Sequence, residues 1–520
     1  MEGELKVIAK YGAALMSVLL LLMIAFNSVI VSKANAQGEQ EAAVLDVKLE
    51  RAKEYVEEQF QRNDLIGGAV GIVYKDKMVS FQGLGTAAKG NEDAAPTSNT
   101  VYSFASVTKA FTATAIIQLY DQGLLDIDKP VRTYIPWFSF KNEEAFTPVT
   151  VRDLLNHSAG GISSYQTNAV LFKDKDAKKS LETYVRLTTD IEMKEQPGAT
   201  GSYCNGCYDT LGLIIENVTG MSYYDYMQTH IFEPLEMDNT MYGHSLDEKG
   251  DLQIATEVDW FFASKSSIMR SFETFGQSQD PDGGMYSTIE DMSKYLAYQL
   301  GYFKKDLISM ETVESSRIPQ VQTEMKTAYY SPAGFEVANI QNTKIFFKTG
   351  DGTGSASAIL FIPDYDIGVA LIIGEFHPEI QEQMVKDIGA ILMGIEPEPW
   401  DVPFTLGKLV GYAAIVLVVV SLVLLVIFLS SRVRYRNRPA QSIHLGRSVF
   451  GLVFSIIIAV PLWYLLLAVR LSPVSFLGYP YDLAIGLVMN TVVLTLGVII
   501  YTRAIVLRRS ASKKDSLEIT

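Results

Sequence analysis

The chain has 520 residues, is 48% hydrophobic, and carries 44 Lys/Arg against 59 Asp/Glu for a net charge of −15. That length allows more than one domain, and an acidic balance with no basic stripe excludes a nucleic-acid binder. The charge is uneven: residues after 400 hold 12 Lys/Arg and 4 Asp/Glu, leaving 32 against 55 before them, so an acidic body precedes a basic, apolar end.

In chain order, residues 11–31 (YGAALMSVLLLLMIAFNSVIV) come first, after Lys6 and Lys10 and before Ala34-Asn35-Ala36. A charged start, an apolar run and a small-x-small site predict a secretory signal peptide over 1–36. The run is also long enough for an uncleaved anchor. Either way, residues 37–400 are expected outside the cytoplasm.

Residues 45–61 read as an amphipathic helix. Residues 67–74 and 78–84 read as a hairpin about Lys75-Asp76-Lys77. Residues 104–123 (FASVTKAFTATAIIQLYDQG) repeat apolar residues at helical spacing and stop at Gly123, so they predict a buried helix. Ser106 and Lys109, three apart, share a face of it. A lysine drawn into such a core must be paired or neutral, and beside a hydroxyl it can make a nucleophile. Ser-x-x-Lys alone is weak, for it recurs at Ser510 to Lys513, and a helix-capping role would equally suit Ser106.

Thr150-Val151-Arg152-Asp153 predicts a capping box and a short helix ending near His157. Helices are expected over 208–220 and 223–232. Ser287-Thr288-Ile289-Glu290 reads as a second capping box, opening a helix to Leu300. Strands follow at 344–348, 357–362 and 367–373, the last two joined by Pro363-Asp364-Tyr365-Asp366, and a helix at 379–393 closes the domain. Strands at both ends and helices between imply an α+β fold: one antiparallel sheet built from both ends of the chain, flanked by helices.

Three apolar runs, about 409–429, 449–469 and 483–501, each reach the ~20 residues needed to cross a bilayer. Arg432, Arg434, Arg436, Arg438 and Arg447 lie between the first two, and Arg503, Arg508, Arg509, Lys513 and Lys514 follow the third. The positive-inside rule puts both basic segments in the cytoplasm, which agrees with export of residues 37–400. Residues 401–520 are therefore expected to be three transmembrane helices, with Trp400 at the membrane interface. No acid or base lies within the runs, so they read as an anchor or a partner surface.

The only cysteines, Cys204 and Cys207, are either a disulfide, which that compartment permits, or two small side chains at tight positions; the second reading is favoured. Cys204 lies inside Tyr203-Cys204-Asn205, a Tyr-x-Asn, and Lys348-Thr349-Gly350 follows an apolar strand. The order is Ser-x-x-Lys, Tyr-x-Asn 97 residues later, and Lys-Thr-Gly 145 residues after that. Each alone has a bland reading, as a cap, a polar turn or a solvated strand end; the three in order do not. The five histidines form no metal-binding pattern, and no cofactor is expected. The absence of a G-x-S-x-G elbow argues against an α/β-hydrolase.

In these motifs, and in the segments TVRDLLNHSAGG, YDTLGLIIENVTG, IFEPLEMDNTMYG and DGGMYSTIEDMSKYL, residues 45–395 resemble the serine β-lactamase and penicillin-binding-protein superfamily, on its class C-like side. The resemblance implies a β-lactamase/transpeptidase-like fold and a serine hydrolase. Ser106 would be the acylated nucleophile, Lys109 its neighbour, and Tyr203 the general base, helped by Lys109 and Lys348. Asn205 would hold the substrate amide and Lys109. Lys348, Thr349, Gly350 and Asp351 would bind substrate, with the backbone N–H groups of Ser106 and Asp351 as the oxyanion hole. His157 falls in a segment the family uses structurally. Two departures stand out: Cys204 and Cys207 replace the usual Ser and Gly, and Asp351 stands where relatives have a small residue. A carboxylate there would favour a cationic group and repel an anionic one, penicillin's carboxylate included.

Signal, catalytic domain and three C-terminal spans together resemble the layout of the colibactin-maturing prodrug peptidases. The resulting expectation is a multi-pass membrane protein with its catalytic domain on the extracytoplasmic face, acting through an acyl-enzyme on D-amino-acid peptides or exported prodrugs. Its partners are a small-molecule or peptide substrate and the membrane, not nucleic acid, and the spans offer a surface for oligomerisation. The alternatives are a penicillin-binding protein or D,D-carboxypeptidase, a class C-like β-lactamase, and a ligand-binding sensor of the same fold.

Overall fold

The computed structural model describes residues 42–400, apart from 92, 172–173, 175, 249, 251, 262–263, 268–272, 274–275, 304–306 and 378–379. It also describes 16, 23, 406–436, 449–453 and 481–518. The expected signal segment and most of the expected second span, 454–469, lie outside the described residues.

One sheet of eight strands organises the domain. In chain order they are β1 (Gly67–Tyr74), β2 (Lys77–Gly85), β3 (Val321–Gln322), β4 (Tyr329–Tyr330), β5 (Glu336–Ile340), β6 (Thr343–Asp351), β7 (Ala356–Ile362) and β8 (Ile367–Ile373). Their spatial order is β2-β1-β8-β7-β6-β5-β4-β3, and every neighbouring pair is antiparallel. The first hairpin thus docks on the last strand, with Gly68 opposite Ile373. This is the expected sheet built from both ends of the chain, and it brings Ser106 to the late strands.

The central strands read as unbroken apolar runs because both faces of the sheet are covered. Val369, Leu371 and Ile373 face the helix over 42–62 (α1) and the helix Gln381–Met393, while Ala370 and Ile372 join the core of the opposite, helical layer. That alternation is the period-2 geometry of a strand, and each Val, Leu or Ile among them contributes roughly 1.5–3 kcal/mol on full burial. The helical layer holds α2 (Thr108–Asp121), α3 (Asn205–Thr219) and α4 (Ile289–Gln299). A small sheet of Tyr102–Ser103, Met285–Ser287 and Met241–Tyr242 leads into the Ser106 turn.

Three local expectations shift. The Thr150 capping box forms as read, but the second box does not: Thr288 is the cap, and it accepts from the Asp291 backbone N–H. The Asp291 carboxylate is drawn instead to Asn239, Thr240 and Lys294, a tertiary pull that the local pattern does not contain. The helix expected over 223–232 is α-helical only to Met227 and then a π-helical turn over Gln228–Phe232. Trp400 does not sit free for a membrane interface. Its indole N–H donates to Asp387 Oδ2 at 2.6 Å, between α1 and the last helix of the domain.

Among the described residues, the helices Leu406–Arg436 and Tyr481–Glu518 follow, with a short helical stretch over 449–453 between them in sequence. Among the described residues, Gly411–Val433 and Thr491–Ser510 are long and apolar enough to cross a membrane. The rings of Phe428 and Tyr501 meet edge-on at 5.8 Å between them.

Candidate active site

Ser106 lies in a single 3-10 turn, Ala105–Val107, that runs into α2. Ala105 takes a φ of 44°, a left-handed conformation that costs an alanine roughly 1–2 kcal/mol. The turn is tied to β7: Ser355 Oγ donates to Ser103 O at 2.9 Å, and Ser357 Oγ to Phe104 O at 2.8 Å. It is also pressed against β6. A Cβ on Gly350 would lie 2.2 Å from Phe104 O and 3.0 Å from Ser106 N, so only glycine fits. The Lys-Thr-Gly strand end and the serine turn therefore share one backbone junction.

Lys109 is fully buried, one helical turn beyond Ser106. Its ammonium donates to Ser106 Oγ at 3.1 Å, to the carbonyl of Asp282 at 2.7 Å and to Asp282 Oδ2 at 3.3 Å. The expected contact with Asn205 is therefore not the one made. Asn205 begins α3; its backbone N–H donates to Ser164 Oγ at 2.9 Å and its Nδ2 to Asn168 Oδ1 at 3.4 Å. Its Oδ1 is buried without a protein donor, on the edge of the cleft beside Ser106.

Tyr203 sits just before α3, with two ammonium groups close to its ring. Lys109 Nζ is 4.9 Å from the ring centroid and Lys348 Nζ 4.7 Å. The His157 imidazole stacks on the same ring at 4.4 Å, and its Nδ1 accepts the Cys204 backbone N–H at 3.0 Å. An accepting Nδ1 leaves the proton on Nε2. Burial, reinforced by the charges of Lys348 and Lys109, holds this imidazole well below its ordinary pKa and therefore neutral. The Tyr203 backbone N–H donates to Glu324.

Cys204 and Cys207 are joined as a disulfide, against the expectation of two small unpaired side chains. The reason is local. Cys204 caps α3, its Sγ accepting the Cys207 N–H at 3.1 Å, and the first helical turn brings the two Cα atoms to 5.3 Å, within bonding range.

Lys348 is buried on β6 and is already paired: it donates to Glu336 Oε1 on neighbouring β5 at 3.3 Å. Burial pulls this ammonium toward neutrality, but Tyr203 and Glu336 outweigh it and the net shift is upward. Burial likewise raises the Glu336 carboxyl, against the pull of Lys348. Thr349 is half-buried between Lys348 and the junction glycine. Asp351 ends the strand, exposed, and its carboxylate accepts from Gln381 Nε2.

Ser106 opens into a cleft of about 170 Å³. Its described lining includes Asn205, Tyr286 and three acids, Asp280, Asp282 and Asp351, but no Lys, Arg or His. Burial pushes the Asp280 carboxyl up to about 6, although His244 lies 3.4 Å away. Sequence reasoning singled out neither Asp282 nor Glu336 as a partner of the two lysines. The available signal was charge economy: two lysines on apolar elements each require a carboxylate, and both acids stand in otherwise apolar or glycine-rich surroundings.

The profile of the Beta-lactamase family matches residues 52–388. The chain is 26% identical over 337 residues to protein flp of Staphylococcus aureus, covering 64% of this chain and 65% of that one; it thus spans just under two thirds of that relative's length. It is 26% identical over 322 residues to penicillin-binding protein 4* of Bacillus subtilis, covering 59% of this chain and 67% of that one. The octameric penicillin-binding protein homologue from Pyrococcus abyssi superposes with a TM-score of 0.59 at 25% identity, over 67% of this chain and 78% of that one. The class C β-lactamase from Rhodobacter sphaeroides shares the fold at a TM-score of 0.53 and 23% identity, over 66% and 98%. The family match takes in well over half of the chain, on a sheet and helical layer common to those structures, and the chain therefore belongs to the beta-lactamase family.

Proposed function

We propose that this protein is a membrane-anchored serine hydrolase that works through an acyl-enzyme on amide substrates, D-amino-acid peptides or exported prodrug precursors among them. The observation that carries the reading is the buried Lys109 ammonium 3.1 Å from Ser106 Oγ at the edge of the cleft. In this mechanism Ser106 Oγ attacks the substrate carbonyl and its proton passes to the Tyr203 oxygen. The tetrahedral adduct collapses, the C–N bond breaks, and Tyr203 returns the proton to the leaving amine. Water then attacks the ester by the same route, releasing the acid and Ser106. The oxyanion is assigned to the backbone N–H groups of Ser106 and Asp351; loss of one such donor typically costs about 10²–10³ in rate.

The acidic lining of the cleft supports a substrate without a carboxylate at that subsite, as does the engagement of Lys348 by Glu336. A second reading, a penicillin-binding protein or β-lactamase, is favoured by Lys348-Thr349-Gly350 and by the likeness to penicillin-binding protein 4*. Membrane attachment is supported by the two apolar helices, and an extracytoplasmic catalytic domain by the basic residues that follow each of them.

The test is the intact mass of the detergent-solubilised chain after exposure to benzylpenicillin, with Ser106→Ala as control. A lasting adduct absent from the control supports Ser106 as nucleophile and favours the second reading. No adduct and no penicillin hydrolysis, with Ser106-dependent cleavage of N-acyl-D-amino-acid amides, supports the first. Cleavage that survives Ser106→Ala would falsify both.

A further inference from the structure

Beneath Lys109 lies a second carboxyl that the reaction as written does not use. Asp209 is on α3, one helical turn beyond Asn205, and is fully buried. Among the described residues, no N–H or O–H donor meets either of its oxygens. Its carboxyl faces that of Asp282, with Lys109 and Asp280 also near. Two carboxylates cannot face each other in a dry interior without a proton between them. The Asp282 oxygen is also held by Lys109, at 3.3 Å, so the proton belongs on the more deeply buried Asp209. A chain of polar groups results: Ser106 Oγ, Lys109 ammonium, Asp282 carboxylate, Asp209 carboxyl.

We infer that Asp282, hydrogen-bonded by the neutral carboxyl of Asp209, is a positioning residue that holds Lys109 as a charged ammonium against Ser106, leaving removal of the Ser106 proton to Tyr203. The inference deepens the serine-hydrolase reading and rests on it. The carbonyl and carboxylate of Asp282 fix two of the three Lys109 protons, and Ser106 Oγ receives the third. With no free lone pair, Lys109 is not a base. It is a fixed positive charge beside the nucleophile and 4.9 Å from the Tyr203 ring, where it favours negative charge on both oxygens. Burial, then the neighbouring Asp282 charge, pushes the Asp209 carboxyl far above the ordinary carboxylate range, in keeping with a retained proton. The other titratable groups facing this cluster are Tyr203, Tyr208 and Tyr184, His157, Asp280, and the Lys348–Glu336 pair.

The experiment follows p-nitrophenyl acetate hydrolysis by the solubilised full chain from pH 5 to 10 for wild type, Asp282→Asn, Asp282→Glu and Ser106→Ala. Removing the counter-charge takes from the Lys109 ammonium the carboxylate that faces it. Asp282→Asn is therefore expected to lower kcat about tenfold or more at neutral pH, with KM little changed. Its alkaline limb should move at least about one unit toward lower pH. Asp282→Glu, which keeps the charge, should hold the limb at the wild-type position, and it serves alone if Asp282→Asn shows no melting transition. An Asp282→Asn profile that superimposes on wild type, or an Asp282→Glu limb displaced like that of an uncharged variant, overturns the inference. Turnover that persists in Ser106→Ala has a different signature and overturns the serine-hydrolase reading, the inference with it. A readout independent of turnover is the melting temperature of Asp209→Asn. A proton held by Asp209 in the fold gives stability that is lost as pH rises above the ordinary carboxylate range, so wild type should lose melting temperature from about pH 4 upward and Asp209→Asn should lose less. Parallel curves overturn the protonated carboxyl.

Discussion

The imidazole of His157 and the phenol of Tyr203 lie face to face, ring centroids 4.4 Å apart, while the Nδ1 of the same imidazole accepts the N–H of Cys204. One neutral ring thus sets both the plane of Tyr203 and the backbone of the turn that carries it. His157→Ala should lower kcat about tenfold to a hundredfold by releasing Tyr203, with a smaller change in KM. The folded imidazole stays neutral below its ordinary pKa, whereas an unfolded one charges. Stability held above about pH 6.5 is therefore lost as pH falls through that value. Melting curves at pH 7 and 5 should show a larger drop for wild type than for His157→Ala, and equal drops would rule out a buried neutral imidazole.

The buried Lys348 and the partly buried Glu336 form a pair at 3.3 Å. Glu336→Gln leaves a buried ammonium without its carboxylate, a change that costs roughly 3–5 kcal/mol. The double variant Glu336→Gln/Lys348→Met should recover much of that. A double-mutant cycle in urea reads the coupling, and additivity of the two changes would show that the pair is not coupled.

The Cys204–Cys207 bridge closes a four-residue loop, for which chain entropy alone gives about 2 kcal/mol. Both cysteines are buried, and Tyr203 and Asn205 flank the first of them. Cys204→Ser/Cys207→Ser should cost about that much in stability, and proportionately more in turnover because the turn holds site residues. Thermal unfolding and kcat measured on the same preparations separate the two effects. A variant with lowered stability and undiminished kcat would limit the bridge to holding the helix start.

Asp351 stands exposed at the rim of the cleft, next to the glycine that abuts Ser106. Asp351→Ser should raise kcat/KM for an anionic ester relative to its neutral analogue by about threefold to tenfold at low salt, and by less at 0.5 M salt, where screening is strong. An unchanged ratio removes Asp351 from substrate selection.

Much of the frame was legible in the residues. The runs at 67–74, 357–362 and 367–373 are apolar on both faces, and a strand covered on both sides has few other ways to be written. Lys109 was legible because i and i+3 on a helix meet whatever the rest of the chain does. The bridge between Cys204 and Cys207 was not read as formed, since here the two cysteines meet because Cys204 caps a helix, and that depends on the flanking turn.

The sequence by itself determined five strands of the main sheet, the serine–lysine pair on one helical face and the order of the three motifs, all of which follow from spacing along the chain; β3, β4 and β5 were not read from it. Only the tertiary structure decided what each lysine is paired with. Asp282 reaches Lys109 from 173 residues away, and Glu336, which the strand register sets opposite Phe347, meets the next residue of β6, Lys348. Periodicity reports local geometry alone. Which carboxylate neutralises a buried cation is set by how the sheet and the helical layer close on each other.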